Sequence, residues 1–184
     1  MSENPEFLPA TREFWTNHPL PEKRSTLALR REFTGHEYEA LNRGLIPRAM
    51  EDKWFIFMEG DTLFFHRSWT GFCIYQVSLI REGAGYVVAE ALVNRDASQY
   101  SGGGEGYDVK LLNFLIDNFL LGKVSTFPLP AGVPAGAATG LYHHHVAGVG
   151  PRARQTRERT SVLGWVLAWL KWIVKGLARE WKRS

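Results

Sequence analysis

Residues 53–75 read KWFIFMEGDTLFFHRSWTGFCIY, and this stretch decides the fold. Gly60-Asp61 lies between two apolar, aromatic runs. It is a two-residue hairpin turn of the Gly-X kind, whose first position tolerates positive φ. The runs predict strands over 54–59 and 62–67. Counting back from a Glu59–Thr62 pair puts His66 opposite Phe55. Ser68 to Gly71 then predicts a turn, and residues 72–81 a longer third strand. In that strand Ile74, Gln76 and Ser78 alternate against Cys73, Tyr75, Val77 and Leu79. Gly83-Ala84-Gly85 closes a further hairpin into a fourth strand over 86–94. Four consecutive strands with short Gly turns predict an antiparallel meander.

The flanks predict helices. Thr34-Gly-His-Glu37 matches a capping box, and Tyr38, Leu41 and Leu45 recur on one helical face until Gly44 and Pro47. After the loop SGGGEGY, Asp108 is the expected N-cap of a second helix. Its stripe is Leu111, Leu112, Leu115, Phe119 and Leu120, and Gly122 is its stop. The expected class is α+β: a four-stranded antiparallel meander flanked by two helices, then a linker and an amphipathic C-terminal helix. The expected boundaries are an irregular Pro-punctuated arm over 1–33, an α+β domain over 34–124, a Pro/Gly/Ala-rich linker over 125–159, and a cationic Trp-rich helix over 160–184.

Composition constrains function. The chain is 45% apolar and 22% charged, which excludes disorder over most of its length. Its single cysteine, Cys73, excludes an internal disulfide and fits a reducing, cytoplasmic compartment. The acidic, Pro-broken start has no secretory pattern. The net charge of +3 is unevenly distributed. Residues 1–150 carry 13 Lys and Arg against 17 Asp and Glu, a net of −4. Residues 151–184 carry nine against two, a net of +7. An acidic body with a basic segment suggests a separate partner for that segment, an anionic surface or an acidic protein face.

In 160–184, Trp165, Trp169, Trp172 and Trp181 line the apolar side, and Lys171 and Lys175 interrupt any run long enough to cross a membrane. Three readings compete: an anionic membrane surface, a protein partner or second copy of the chain, and packing on its own body. Membrane contact would make the protein peripheral. Nucleic acid is disfavoured because the body is acidic. His143–His145 lacks further ligands, so no metal site is expected, and no cofactor is expected either.

The candidate ligand site is His66, Arg67 and Trp69 with Asn94 and Arg95 at the end of the fourth strand. Arg and Trp together suit a nucleotide-like ligand. Strand alternation divides the group, because His66 and Arg67 point to opposite faces unless a bulge intervenes. The glycine loop 102–106 precedes a helix start, where anions bind, but Glu105 and Asp108 oppose a phosphate there. No HExxH, GxSxG or paired-Cys motif is present.

The run GLIPRAMEDKWFIF, FFHRSWTGFCIY, VNRD and YDVKLLNFLID resembles a family of small bacterial proteins of unknown function, over about residues 34–122. The resemblance implies an α+β domain that occurs alone or near ADP-ribose-processing enzymes, and it carries over no catalytic residue. The GGG loop and the Trp-rich tail are particular to this chain. Two functions follow as expectations. One is a non-enzymatic binding or adaptor module tethered through 160–184. The other is a domain that binds or hydrolyses a nucleotide or ADP-ribose.

Overall fold

The computed structural model describes residues 8–49, 51–129 and 146–147. The expected helix over 160–184, with Trp165, Trp169, Lys171, Trp172, Lys175 and Trp181, lies outside the described residues, as do His143–His145.

The fold is α+β on an antiparallel sheet. In chain order the elements are β1 (Arg24–Thr26), β2 (Glu32–Thr34), α1 (Gly35–Arg43), β3 (Trp54–Glu59), β4 (Thr62–Arg67), β5 (Cys73–Glu82), β6 (Gly85–Asn94) and α2 (Glu105–Leu115). A π-helical turn, Ile116–Leu120, continues α2. The sheet order is β1-β6-β5-β4-β3, with β2 also on β6. The hairpin register is the one counted from the sequence: Glu59 faces Thr62 and His66 faces Phe55.

Among the described residues the sheet has six strands rather than four, and the segment up to Thr34 supplies the other two. β1 pairs with the Leu92–Asn94 end of β6 and β2 with its Gly85–Val87 end. The reason is the long outer edge of β6, a row of backbone donors and acceptors that needs partners. Three-residue strands are too short to display a period in sequence.

Register assigns the side chains to two faces. Trp54, Ile56, Leu63, Phe65, Tyr75, Val77, Ala91 and Val93 join Leu41 of α1 and Leu111, Leu112 and Leu115 of α2 in the main core. This is the closed face. On the opposite face Phe55 and Phe57 form a smaller core with Ala10 of the arm, bordered by Ile46 and Phe64.

The Thr34–Glu37 capping box is present. Lys123, assisted by the Thr34 backbone N–H, holds the Glu37 carboxyl down to about 2. The start of α2 differs from expectation. Gly104 occupies the cap, with no side-chain cap bond, and Asp108 is turned into the core instead. The 125–159 segment also has something to bury: Phe127 packs edge-on against Phe114, 5.2 Å between centroids, and Val146 and Ala147 join the main core. No helix among the described residues is long and apolar enough to cross a membrane.

Candidate functional site

Polar groups collect at two places, one on each face of the sheet. On the closed face the buried Asp108 carboxylate accepts from Tyr75 Oη at 3.0 Å and Tyr100 Oη at 2.7 Å. It also pairs with Arg95 Nη1 at 2.6 Å. Arg95 Nε donates to Ser25 Oγ on β1, so the cluster ties the arm to α2 through the end of β6. Burial pushes both tyrosine hydroxyls above their ordinary range, so they remain protonated donors. A carboxylate taken out of water in this way requires its full set of donors. Two of the three adjacent glycines, Gly102 and Gly103, serve this packing. A Cβ at Gly102 would meet the Tyr100 ring at 2.8 Å, and one at Gly103 the Tyr107 ring at 2.7 Å.

Beside this cluster the Arg67 guanidinium lies 4.3 Å over the Trp54 ring. Arg67 Nη1 and Trp54 Nε1 both donate to the Val146 carbonyl, at 2.7 and 3.0 Å.

The sequence-chosen residues therefore scatter. Arg67 and Arg95 are bound into the closed face. Asn94 is fully buried and uses its amide within the fold, donating to the Cys73 carbonyl and Gln99 Oε1 and accepting from the Asp96 N–H. Trp69 is 65% exposed on the β4–β5 turn, with Lys53 Nζ 3.9 Å over its ring. Burial pushes the Cys73 thiol up to about 12, so it stays protonated and is no nucleophile. His66, by contrast, lines a cleft.

That cleft, about 250 Å³, lies on the opposite face between the sheet and the arm. Phe64, His66, Gln76 and Leu92 come from β4, β5 and β6, and Arg12, His18, Pro19, Leu20 and Arg24 from the arm and β1. None of these nine residues is acidic. Arg12 lies over the Phe57 and Phe64 rings at 5.3 and 5.6 Å, and the nearby Glu59 pairs with it at 2.6 Å. Arg24 donates to the Pro21 carbonyl and makes no ion pair among the described residues.

His66 is 1% exposed, among the rings of Phe55, Phe57 and Phe64. Its Nδ1 is 2.9 Å from the Gly71 carbonyl, which also accepts from the His18 backbone N–H at 2.8 Å. A carbonyl only accepts, so Nδ1 carries the proton and Nε2 is left with a lone pair. Nε2 has no hydrogen-bond partner among the described residues. Burial lowers the His66 pKa, and the charges of Arg12 and His18 lower it further, against the Gly71 bond, which raises it. The ring is therefore neutral at pH 7. A bulge between Phe65 and His66 shifts the β4–β5 register, yet His66 and Arg67 still serve opposite faces.

No family model, curated protein or solved structure matches the chain. Its function is therefore read from its own geometry, and no residue role is carried over from any other protein. Sequence reasoning missed Arg12, His18 and Arg24 because it treated the arm as irregular. The available signal was the polar alternation of Gln76 and Ser78 on β5, which marks the sheet face opposite α1 and α2. Among the described residues no three His, Cys, Asp or Glu gather closely enough to hold a metal ion.

Proposed function

We propose that the chain is a binding module whose body takes a small anion in the His66 cleft and whose 160–184 segment tethers it to an anionic membrane surface or a protein partner. On this reading it is a cytoplasmic protein that attaches peripherally. The observation that carries the ligand half is a cleft with two guanidinium groups, two imidazoles and no acidic lining residue, in which one imidazole, His66, has a buried ring nitrogen without a partner among the described residues. Cationic walls beside low-dielectric aromatic rings concentrate anions. The lining supplies no thiol, hydroxyl or carboxylate to act with His66, which supports binding over catalysis.

Size narrows the alternative ligand. A cleft of about 250 Å³ is smaller than the ~300–1,000 Å³ of sites for drug-sized ligands. It suits a phosphate group or a short carboxylic acid better than a whole nucleotide or ADP-ribose. Calorimetry on the full chain with inorganic phosphate and with ADP-ribose tests this. Phosphate binding that weakens about tenfold or more in Arg24→Ala supports the reading. ADP-ribose binding that is unaffected by Arg24→Ala moves the site elsewhere. For the tether, co-sedimentation with phosphatidylserine vesicles is expected to fall in the full-chain double variant Lys171→Glu, Lys175→Glu. Unchanged sedimentation removes the electrostatic membrane reading.

A further inference from the structure

We infer that the anion taken by the cleft must also bring a hydrogen-bond donor, an O–H or N–H, which His66 Nε2 accepts. The inference rests on the anion-binding reading above and makes that reading more specific.

The argument begins with the turn. Gly71 places its carbonyl where both the His18 backbone and His66 Nδ1 donate to it. The imidazole is thereby held in one tautomer, with a proton on Nδ1 and none on Nε2. Phe57 stacks on the ring at 5.5 Å between centroids, with Phe55 and Phe64 alongside, so the ring cannot readily turn to expose its other nitrogen. An acceptor buried to this degree without a partner costs about as much as a lost hydrogen bond. A ligand donor removes that cost. A ligand atom that carries only lone pairs meets the nitrogen lone pair and is repelled. Arg24 meanwhile supplies positive charge that no carboxylate among the described residues neutralises. Guanidinium recognises any oxyanion, whereas the Nε2 lone pair admits only those that retain a proton.

Phosphate and sulfate separate the two requirements. Both are tetrahedral oxyanions of similar size. At pH 7.5 phosphate keeps at least one O–H and sulfate keeps none. The cleft is therefore expected to bind inorganic phosphate at least about tenfold more tightly than sulfate, and glycolate more tightly than acetate. In full-chain His66→Phe, which keeps the aromatic packing and removes the acceptor, phosphate and sulfate are expected to bind alike. Arg24→Ala weakens both anions by a similar factor. A second readout uses the unaltered chain. Phosphate should move the His66 Nε2 ¹⁵N resonance in the direction of an acceptor that has gained a hydrogen bond, with Nδ1 still protonated.

Equal binding of phosphate and sulfate, or an unmoved Nε2 resonance at phosphate saturation, overturns the donor requirement and leaves the anion reading standing. Failure of both anions to bind overturns both.

Discussion

The two faces of the sheet use similar residues differently. On the closed face a buried carboxylate meets two tyrosine hydroxyls and a guanidinium, and a loop carbonyl meets an arginine and a tryptophan. The Asp108, Arg95 and Arg67 charges there are answered from within the fold. On the cleft face an imidazole nitrogen is equally buried but unanswered among the described residues, and Arg24 pairs with no carboxylate among them. Arg side chains occur at both places, so residue type does not separate structure from binding. What separates them is whether the partners are supplied by the chain itself. A satisfied buried network rigidifies a fold, whereas an unsatisfied group beside a cavity is where a ligand gains most.

The largest effect expected from breaking this contrast comes from Asp108→Ala. It leaves the Arg95 charge and two tyrosine hydroxyls without their shared acceptor, and should cost about 3–5 kcal/mol in urea unfolding. A cost below about 1 kcal/mol would mean that the network does not organise the closed face. Arg67→Ala comes next. It removes a charged hydrogen bond to Val146 and the guanidinium over Trp54, for about 2 kcal/mol. Trp54 fluorescence should report the change, and an unaltered spectrum and midpoint would count against the contact.

The cleft face responds through pH. The His66 pKa is held below its ordinary 6.5, mainly by burial. As pH falls through 6.5 the unfolded chain takes up a proton that the folded chain refuses, so stability falls with pH until the folded-state pKa is reached. Groups packed around the ring sharpen this: Arg12 and His18 from the arm repel the new charge, and Phe55, Phe57 and Phe64 do not solvate it. Urea midpoints at pH 7.5 and 5.5 should therefore differ more in the unaltered chain than in His66→Phe; equal differences would remove His66 as the source. The smallest effect is that of His66→Phe itself at pH 7.5, within about 1 kcal/mol of the unaltered chain. It deletes an unsatisfied acceptor, and Gly71 keeps its bond from the His18 backbone.

Much of the fold was legible because it is local. Gly60-Asp61 set the β3–β4 register residue for residue, and Thr34–Glu37 set the start of α1. β1 and β2 were not legible, because three residues show no period and their pairing with β6 spans more than fifty positions. Asp108 was misplaced for a related reason: near a helix start a carboxylate reads as a cap, and only the tertiary approach of Tyr75, Tyr100 and Arg95 turns it inward. Of the candidate ligand residues, alternation correctly separated His66 from Arg67. It could not show that Asn94 and Arg95 spend their polar groups inside the fold, or that Arg12 and Arg24 come from the arm to meet His66.

The claim that binding belongs to the cleft face and structure to the closed face is tested most directly by mapping amide and arginine side-chain NMR shifts of the full chain during a phosphate titration at pH 7.5. The account predicts saturable shifts at Arg24, Gly71, Gln76 and Leu92, with Gly102 to Asp108 unmoved. Shifts centred on the Gly102–Asp108 loop and Arg95, with the cleft residues silent, would contradict it.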